Sequence, residues 1–352
     1  MPTSVKLSSA LGFPQPRVLE ETARALVLDP SDYWFINKES PIEPHGSELV
    51  EWWGGLPISG MTPAYTLDTD PKMRKSRGRK HHLERTSYWK ETATLNESDI
   101  LRTVDEMRYD QHAGKKLIMG HLEEGEARLM ARCEWLCAQA YQYGEIQINE
   151  EGSEEGVIRT IDYGFDSFNL VTPDVSWDDP QADIVGNLQG WIKQFRGYSK
   201  RGVRIRMNGT TAEAMMKNGT VRDLFKQSNF AGELGRDNFG KLLILLVGKD
   251  LVEVEIYDEG YFDDDGNYHE FVHDGKVLLL ATPPKGKKIG SLKTTPSVAN
   301  AGGGQLARPG KILGIKDMTD NKERPRYQTT HGIHCIPIIK YVKCVICATV
   351  LF

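Results

Sequence analysis

At 352 residues the chain has room for two to three folding units of about 150 residues each, and it can bury a sizeable core without metal or disulfide staples. With 44 basic residues against 49 acidic ones the formal charge is -5, so the molecule as a whole is not a nucleic-acid or membrane-surface binder and any such contact must be local. A hydrophobic content of 39% with 26% charged residues excludes wholesale disorder, and no apolar run approaches membrane-spanning length. Residues 1–13 lack the basic, apolar and small-residue succession of a secretory signal, which leads to the expectation of a product that stays in the cytosol. Five cysteines, an odd number in two clusters (Cys133 and Cys137; Cys335, Cys344 and Cys347), predict free thiols.

In chain order, residues 1–60 hold seven prolines and several aromatics around one short helical stretch at 19–28, the pattern of an extended arm. Trp34, Trp52 and Trp53 would be costly to leave in water, so the arm is expected to pack against the body or a neighbour. Residues 63–95 carry Lys72, Arg74, Lys75, Arg77, Arg79, Lys80, Arg85 and Lys90, with Thr and aromatic residues on both sides and Gly78 near the middle. That pattern predicts a projecting two-stranded ribbon with a charged tip. A ribbon so polar cannot be stable alone, and it is expected to lie across an acidic face of another subunit. A solvated loop and a DNA-binding arm are the other readings of the run.

Asn96 and Asp99 followed by Ile100, Val104 and Met107 predict a short helix. A long one follows over 115–141, about 40 Å, with the stripe Leu122, Leu129, Cys133, Leu136 and Ala140. It reads as a spine for a sheet, and Glu123, Glu124 and Glu126 offer an anionic stripe to a basic partner. Alternation over 145–149 and 157–163 predicts a hairpin with an acidic loop, and 183–195 reads as an amphipathic helix. Next come a strand at 203–207, helices at 210–218 and 221–227, and β-type runs at 242–247 and 251–257. Asp265-Gly266 marks a tight hairpin turn, not a calcium loop, because that register would put Tyr261 and Val272 at ligand positions. A strand at 276–281, a loop over 283–310 and a β-rich tail at 333–352, whose Pro337 suits an edge, complete the pass.

Signatures of chemistry are missing: there is no H-E-x-x-H, G-x-S-x-G or dinucleotide glycine fingerprint, and Ile312 after Gly310-Lys311 rules out a phosphate loop. His331, His334, Cys335, Cys344 and Cys347 form the one metal-like set, the basis of a rival reading as a zinc-dependent or DNA-acting enzyme. In a strand, thiols three apart point to opposite faces, so Cys344 and Cys347 read as small buried hydrophobes. We therefore expect no catalytic, cofactor-binding or metal-ligating residue, and a structural or binding role.

The order of parts is similar to that of tailed-bacteriophage major capsid proteins of the lambda capsid protein E family, with the HK97-like fold. The local likenesses are Thr62-Pro63-Ala64-Tyr65, Val175-Ser176-Trp177-Asp178 with Pro180 and Asp183-Ile184, and the hairpin region 256–280. The long loop 283–309 and the cysteine-rich tail depart from the family pattern. The resemblance implies an α+β fold divided into an N-terminal arm (1–61), an extended E-loop (62–95), a peripheral domain with spine helix and hairpin (96–164), an axial domain (165–326) and a C-terminal strand returning to the peripheral domain (327–352). It further implies self-assembly into homo-hexamers and homo-pentamers of an icosahedral head enclosing double-stranded DNA. Intersubunit contacts would involve Lys72, Arg74, Lys75, Arg77, Arg79, Lys80 and Arg85 of the E-loop and Glu123, Glu124 and Glu126 of the spine. Portal, scaffold and decoration proteins are the other implied partners, with no membrane and no cofactor, and assembly would occur in the host cytoplasm. A cellular nanocompartment shell is the neighbouring alternative within the same fold.

Overall fold

The helix expected over 115–141 runs Gln111–Tyr143, which at 1.5 Å per residue spans about 50 Å. The computed structural model describes residues 33–55, 70, 79–96, 98–99, 102, 104–105, 108–109, 111–149, 158–198, 202–227, 235–248, 250–296, 310–317 and 326–352. The expected helix at 19–28, the motif at 62–65, the ribbon tip and the acidic loop 150–156 lie outside them. Every member of the predicted stripe, from Leu122 to Ala140, is buried. Toward its C-terminus the helix is covered on several sides, since Glu134, Cys137, Ala138, Tyr141 and Gln142 are buried too. It therefore lies against more than one layer.

The first layer is a five-stranded sheet centred on Arg326–Ile339. Ser87–Asn96 pairs antiparallel with residues 326–335 of that strand, Lys311–Asp317 with residues 327–333 and Gly290–Thr294 with residues 335–339. Ile42–Pro44 adds parallel to Gly290–Thr294 at the edge. The second sheet has the order Leu251–Ile256, Val203–Met207, Lys276–Ala281, Val345–Thr349, Leu170–Val171. Helices Ile184–Gln194, Gly209–Lys217, Gly219–Gln227 and Arg236–Val247 belong to this half, the first capped by the Asp183 carboxylate on the Gly186 N–H. Trp177 is fully buried there, its backbone N–H on the Val350 carbonyl and its ring stacked on Trp191. One continuous core joins both sheets to the helix from Leu129 onward, and a separate small core of Leu95, Ile118, Leu122, Leu313, Ile315 and Tyr327 lies under its N-terminal half.

Several expectations need correction. Residues 242–247 are helical, within Arg236–Val247: Leu242 and Leu243 face the core while Leu245 is 61% exposed, a helical period that a short apolar run conceals. The short helix expected after Asn96 begins at residues 98–99, with the Arg102 N–H on the Ser98 carbonyl, but it does not reach Val104, since Val104–Asp105 forms a ladder with Arg108–Tyr109. The loop 283–310 contains the strand Gly290–Thr294, where the absence of a Cβ at Gly290 admits the Ile338 carbonyl and the Tyr141 hydroxyl. Pro337 sits in a central strand, at a point where the partner Ser87–Asn96 has ended and pairing continues on one side. The tail does not return only to the spine: Val345–Thr349 is an interior strand of the second sheet. The Asp265-Gly266 turn joins Gly260–Phe262 to Tyr268–Glu270, with Gly266 at φ 85°.

Candidate assembly surfaces

The arm enters the body through residues 33–39. Phe35–Glu39 forms a wide helical turn, and Trp34, Phe35 and Ile36 are buried. Glu134, in the middle of the spine helix, receives the Phe35 N–H at 2.7 Å, the Ile36 N–H at 2.9 Å and the Tyr257 hydroxyl at 2.8 Å. Burial pushes its carboxyl up to about 7, against the opposing pull of these donors. Arg206, fully buried, holds Glu253 and Glu255 at 2.6 Å each and lies 4.4 Å from the centre of the Trp34 ring. Lys38 reaches the same two carboxylates, and Glu39 pairs with Arg204. Sequence reasoning placed Trp34 in this packing and missed Glu134, Glu39, Arg204 and Arg206. The available signal was an acid next to Cys133 on the buried stripe.

Beyond the arm root, Leu49–Trp53 pairs antiparallel with His81–Arg85. Alternation sends Val50 and Trp52 inward, Trp52 stacking on His82 at 4.9 Å, and sends Trp53 outward, 52% exposed. Of the three tryptophans assigned to arm packing, Trp34 and Trp52 are covered within the chain and Trp53 is not. Leu49 and Leu83 share its open face. Arg85 on this ribbon pairs with Glu48 of its own chain at 2.5 Å while remaining well exposed. Arg79 and Lys80 are exposed at the ribbon's base; Lys72, Arg74, Lys75 and Arg77 lie outside the described residues.

On the spine helix Glu123 and Glu124 are exposed. Glu126 is not available to a neighbour, because it is buried and its carboxylate pairs with Lys311 of the first sheet. One turn beyond Glu124, Arg128 bridges Glu91 at 2.8 Å and Asp264 at 3.0 Å, which ties the Asp263–Asp265 turn to the spine's flank. Between Glu124 and Glu126, Gly125 lets the buried His331 ring approach the helix backbone: a Cβ there would stand 2.5 Å from the ring Cδ2.

The residues of the zinc reading are dispersed. His331 faces the spine helix, His334 stacks on Tyr88 at 4.2 Å, and Cys335 lies in the core with Cys133 and Cys137. Cys344 and Cys347 are buried thiols pushed up to about 12 by desolvation. Among the described residues no three His, Cys, Asp or Glu side chains gather in a metal-holding group.

A family model described as phage major capsid protein E matches residues 59–308. No curated protein matches the sequence. Among solved structures, one described as a prophage capsid protein from E. coli CFT073 is similar at TM-score 0.54 and 17% identity, covering 77% of this chain and 79% of that one. A phage-related protein from Bordetella bronchiseptica RB50 is similar at TM-score 0.53 and 10% identity, covering 94% of this chain and 95% of the other. At such identities these two likenesses concern the fold.

Proposed function

Because the chain belongs to the phage major capsid protein E family, has the HK97-like fold and is a capsid-forming protein that self-associates, we propose that its copies build the hexamers and pentamers of an icosahedral head around double-stranded DNA. Assembly in the host cytoplasm, with portal, scaffold and decoration proteins as further partners, belongs to the same proposal. The observation that carries it is the ribbon Leu49–Trp53/His81–Arg85, which keeps Leu49, Trp53 and Leu83 in water and runs into the basic stretch 72–80. Large apolar side chains gathered on one exposed face of a ribbon mark a contact surface. The acceptor for the basic residues is the exposed pair Glu123 and Glu124 of an adjacent spine, supplemented by the acids of the 263–265 turn, with many pairs that are weak one by one. The division into arm, E-loop, peripheral and axial parts is proposed on the same family ground.

Electron microscopy of the expressed chain tests this reading, with closed icosahedral particles as the expected result. Replacing Lys75, Arg77, Arg79 and Lys80 together by alanine is expected to abolish particles while the far-ultraviolet circular dichroism of the subunit is retained. Normal particles from that variant would remove the E-loop residues from the proposal, and a wild-type chain that stays monomeric would remove the shell itself.

A further inference from the structure

Alternation splits the hairpin Gly260–Phe262/Tyr268–Glu270 into two faces. Tyr261 and His269 stand opposite one another, and the Tyr261 ring packs on Phe271 of the main core. Phe262 and Tyr268 make the next pair, on the other face, with ring centres 5.1 Å apart, and they stay 69% and 47% exposed. Tyr268 is held in place although it is in water. Its hydroxyl donates to the Asp258 carbonyl at 2.6 Å, and its ring lies over Gly260, where a Cβ would stand 2.8 Å from the ring Cζ. The turn is fixed as well: Asp263 accepts the Asp265 and Asn267 N–H groups, and Asp264 is bridged to Arg128 of the spine helix. Two large rings held side by side in solvent are a preorganised anchor, because contact then requires little further ordering.

The charge beside these rings has one sign. Residues 258–270 contain no lysine or arginine, and Glu259, Asp264 and Asp265 are exposed. A surface of this kind fits a partner that is apolar at its centre and basic at one end, and the chain itself carries one. The open face of Leu49–Trp53/His81–Arg85 presents Leu49, Trp53 and Leu83. Arg85 on that face is offset by Glu48, so the positive excess lies at the other end, where residues 72–80 hold six basic residues and no acid and end in the exposed Arg79 and Lys80.

We propose that Phe262 and Tyr268 of one copy form the seat for the Leu49, Trp53 and Leu83 face of a second copy, with Asp264 and Asp265 turned to residues 79–80 of the incoming ribbon. The two patches differ, so the contact is heterologous: each copy gives a ribbon and receives one, and the repeat closes a ring or extends a lattice. This inference rests on the shell reading and adds to it an apolar seat that paired charges alone do not supply.

Cross-linking of the full chain with a short bismaleimide tests the pairing, with cysteines set beside the anchors so that both apolar patches stay intact. All five native thiols are buried, so the wild-type chain gives little background. A chain carrying both Arg79→Cys and Asp265→Cys should give a ladder of covalent dimers, trimers and larger species on a denaturing gel, while either substitution alone leaves monomers. Dimers from either single variant, or no ladder from the double one, would overturn the proposal. Separately, Phe262→Ala with Tyr268→Ala removes only exposed rings and should leave the circular dichroism unchanged while raising the concentration needed for particles by roughly tenfold or more. An unchanged threshold would overturn the seat. Wild-type chain that never forms particles would end the shell reading and this inference together, whereas wild-type particles without the ladder would end this inference alone.

Discussion

Adding one methyl group at Gly125 should be harmful where helix propensity says it should help. In a helix interior, alanine is favoured over glycine by about 1 kcal/mol. At Gly125 the new Cβ would meet the His331 ring at 2.5 Å from Cδ2, 2.8 Å from Nε2 and 2.9 Å from Cγ, where unstrained carbon contacts lie near 3.5–4.0 Å. The ring cannot retreat, because His331 is buried in a strand with partners on both edges, Glu91 on one side and Leu313 on the other. Overpacking of this kind costs about 1–3 kcal/mol, so Gly125→Ala should lower stability on balance by up to about 2 kcal/mol. Gly120, on the same helix with nothing within 4 Å of its missing Cβ, is the control: Gly120→Ala should raise stability by up to about 1 kcal/mol. In a His331→Ala background the ring is gone and Gly125→Ala should turn stabilising, a coupling of about 1–3 kcal/mol in the double-mutant cycle. Urea denaturation of unassembled chain, followed by circular dichroism, measures all five species, the native chain included. A gain from Gly125→Ala equal to that from Gly120→Ala in the native background would refute the argument.

Two further predictions follow from the same geometry. All five thiols are buried, so Ellman's reagent should label fewer than one per folded chain and all five in denaturant; rapid labelling of Cys344 or Cys347 in the native state would contradict their placement. Asp183 caps its helix at 2.9 Å, so Asp183→Ala should lose about 1 kcal/mol in the same urea assay while Asp183→Asn stays close to native, and equal losses from both would point to charge instead of capping.

The long helix was legible because its apolar positions recur over many turns, and periodicity of that length has one structural solution. The run 242–247 was misread because six apolar residues carry no period, and only the core facing Leu242 and Leu243 distinguishes helix from strand. Alternation in Leu49–Trp53 already separates Trp52 from Trp53, so their different fates could have been read from the sequence. Remote pairing could not: nothing near Glu126 announces Lys311, and nothing near Glu134 announces the backbone of residues 35 and 36. The acids were visible as residues, whereas their partners were a property of topology. The metal-like set around His331 was suggestive in one dimension because nothing in the sequence announces that His331, His334 and Cys335 belong to one sheet while Cys347 lies in the other.

Residues 326–349 supply the centre of one sheet and an interior strand of the other. A polypeptide emerging from the ribosome therefore lacks the centre of the first layer and an interior strand of the second until residues 326–349 have been made. Neighbouring nascent copies have no finished faces to offer one another, so synthesis itself imposes a delay between translation and association. Timing of that kind is written into strand order, and a circular permutant that moved this segment to the front would abolish it.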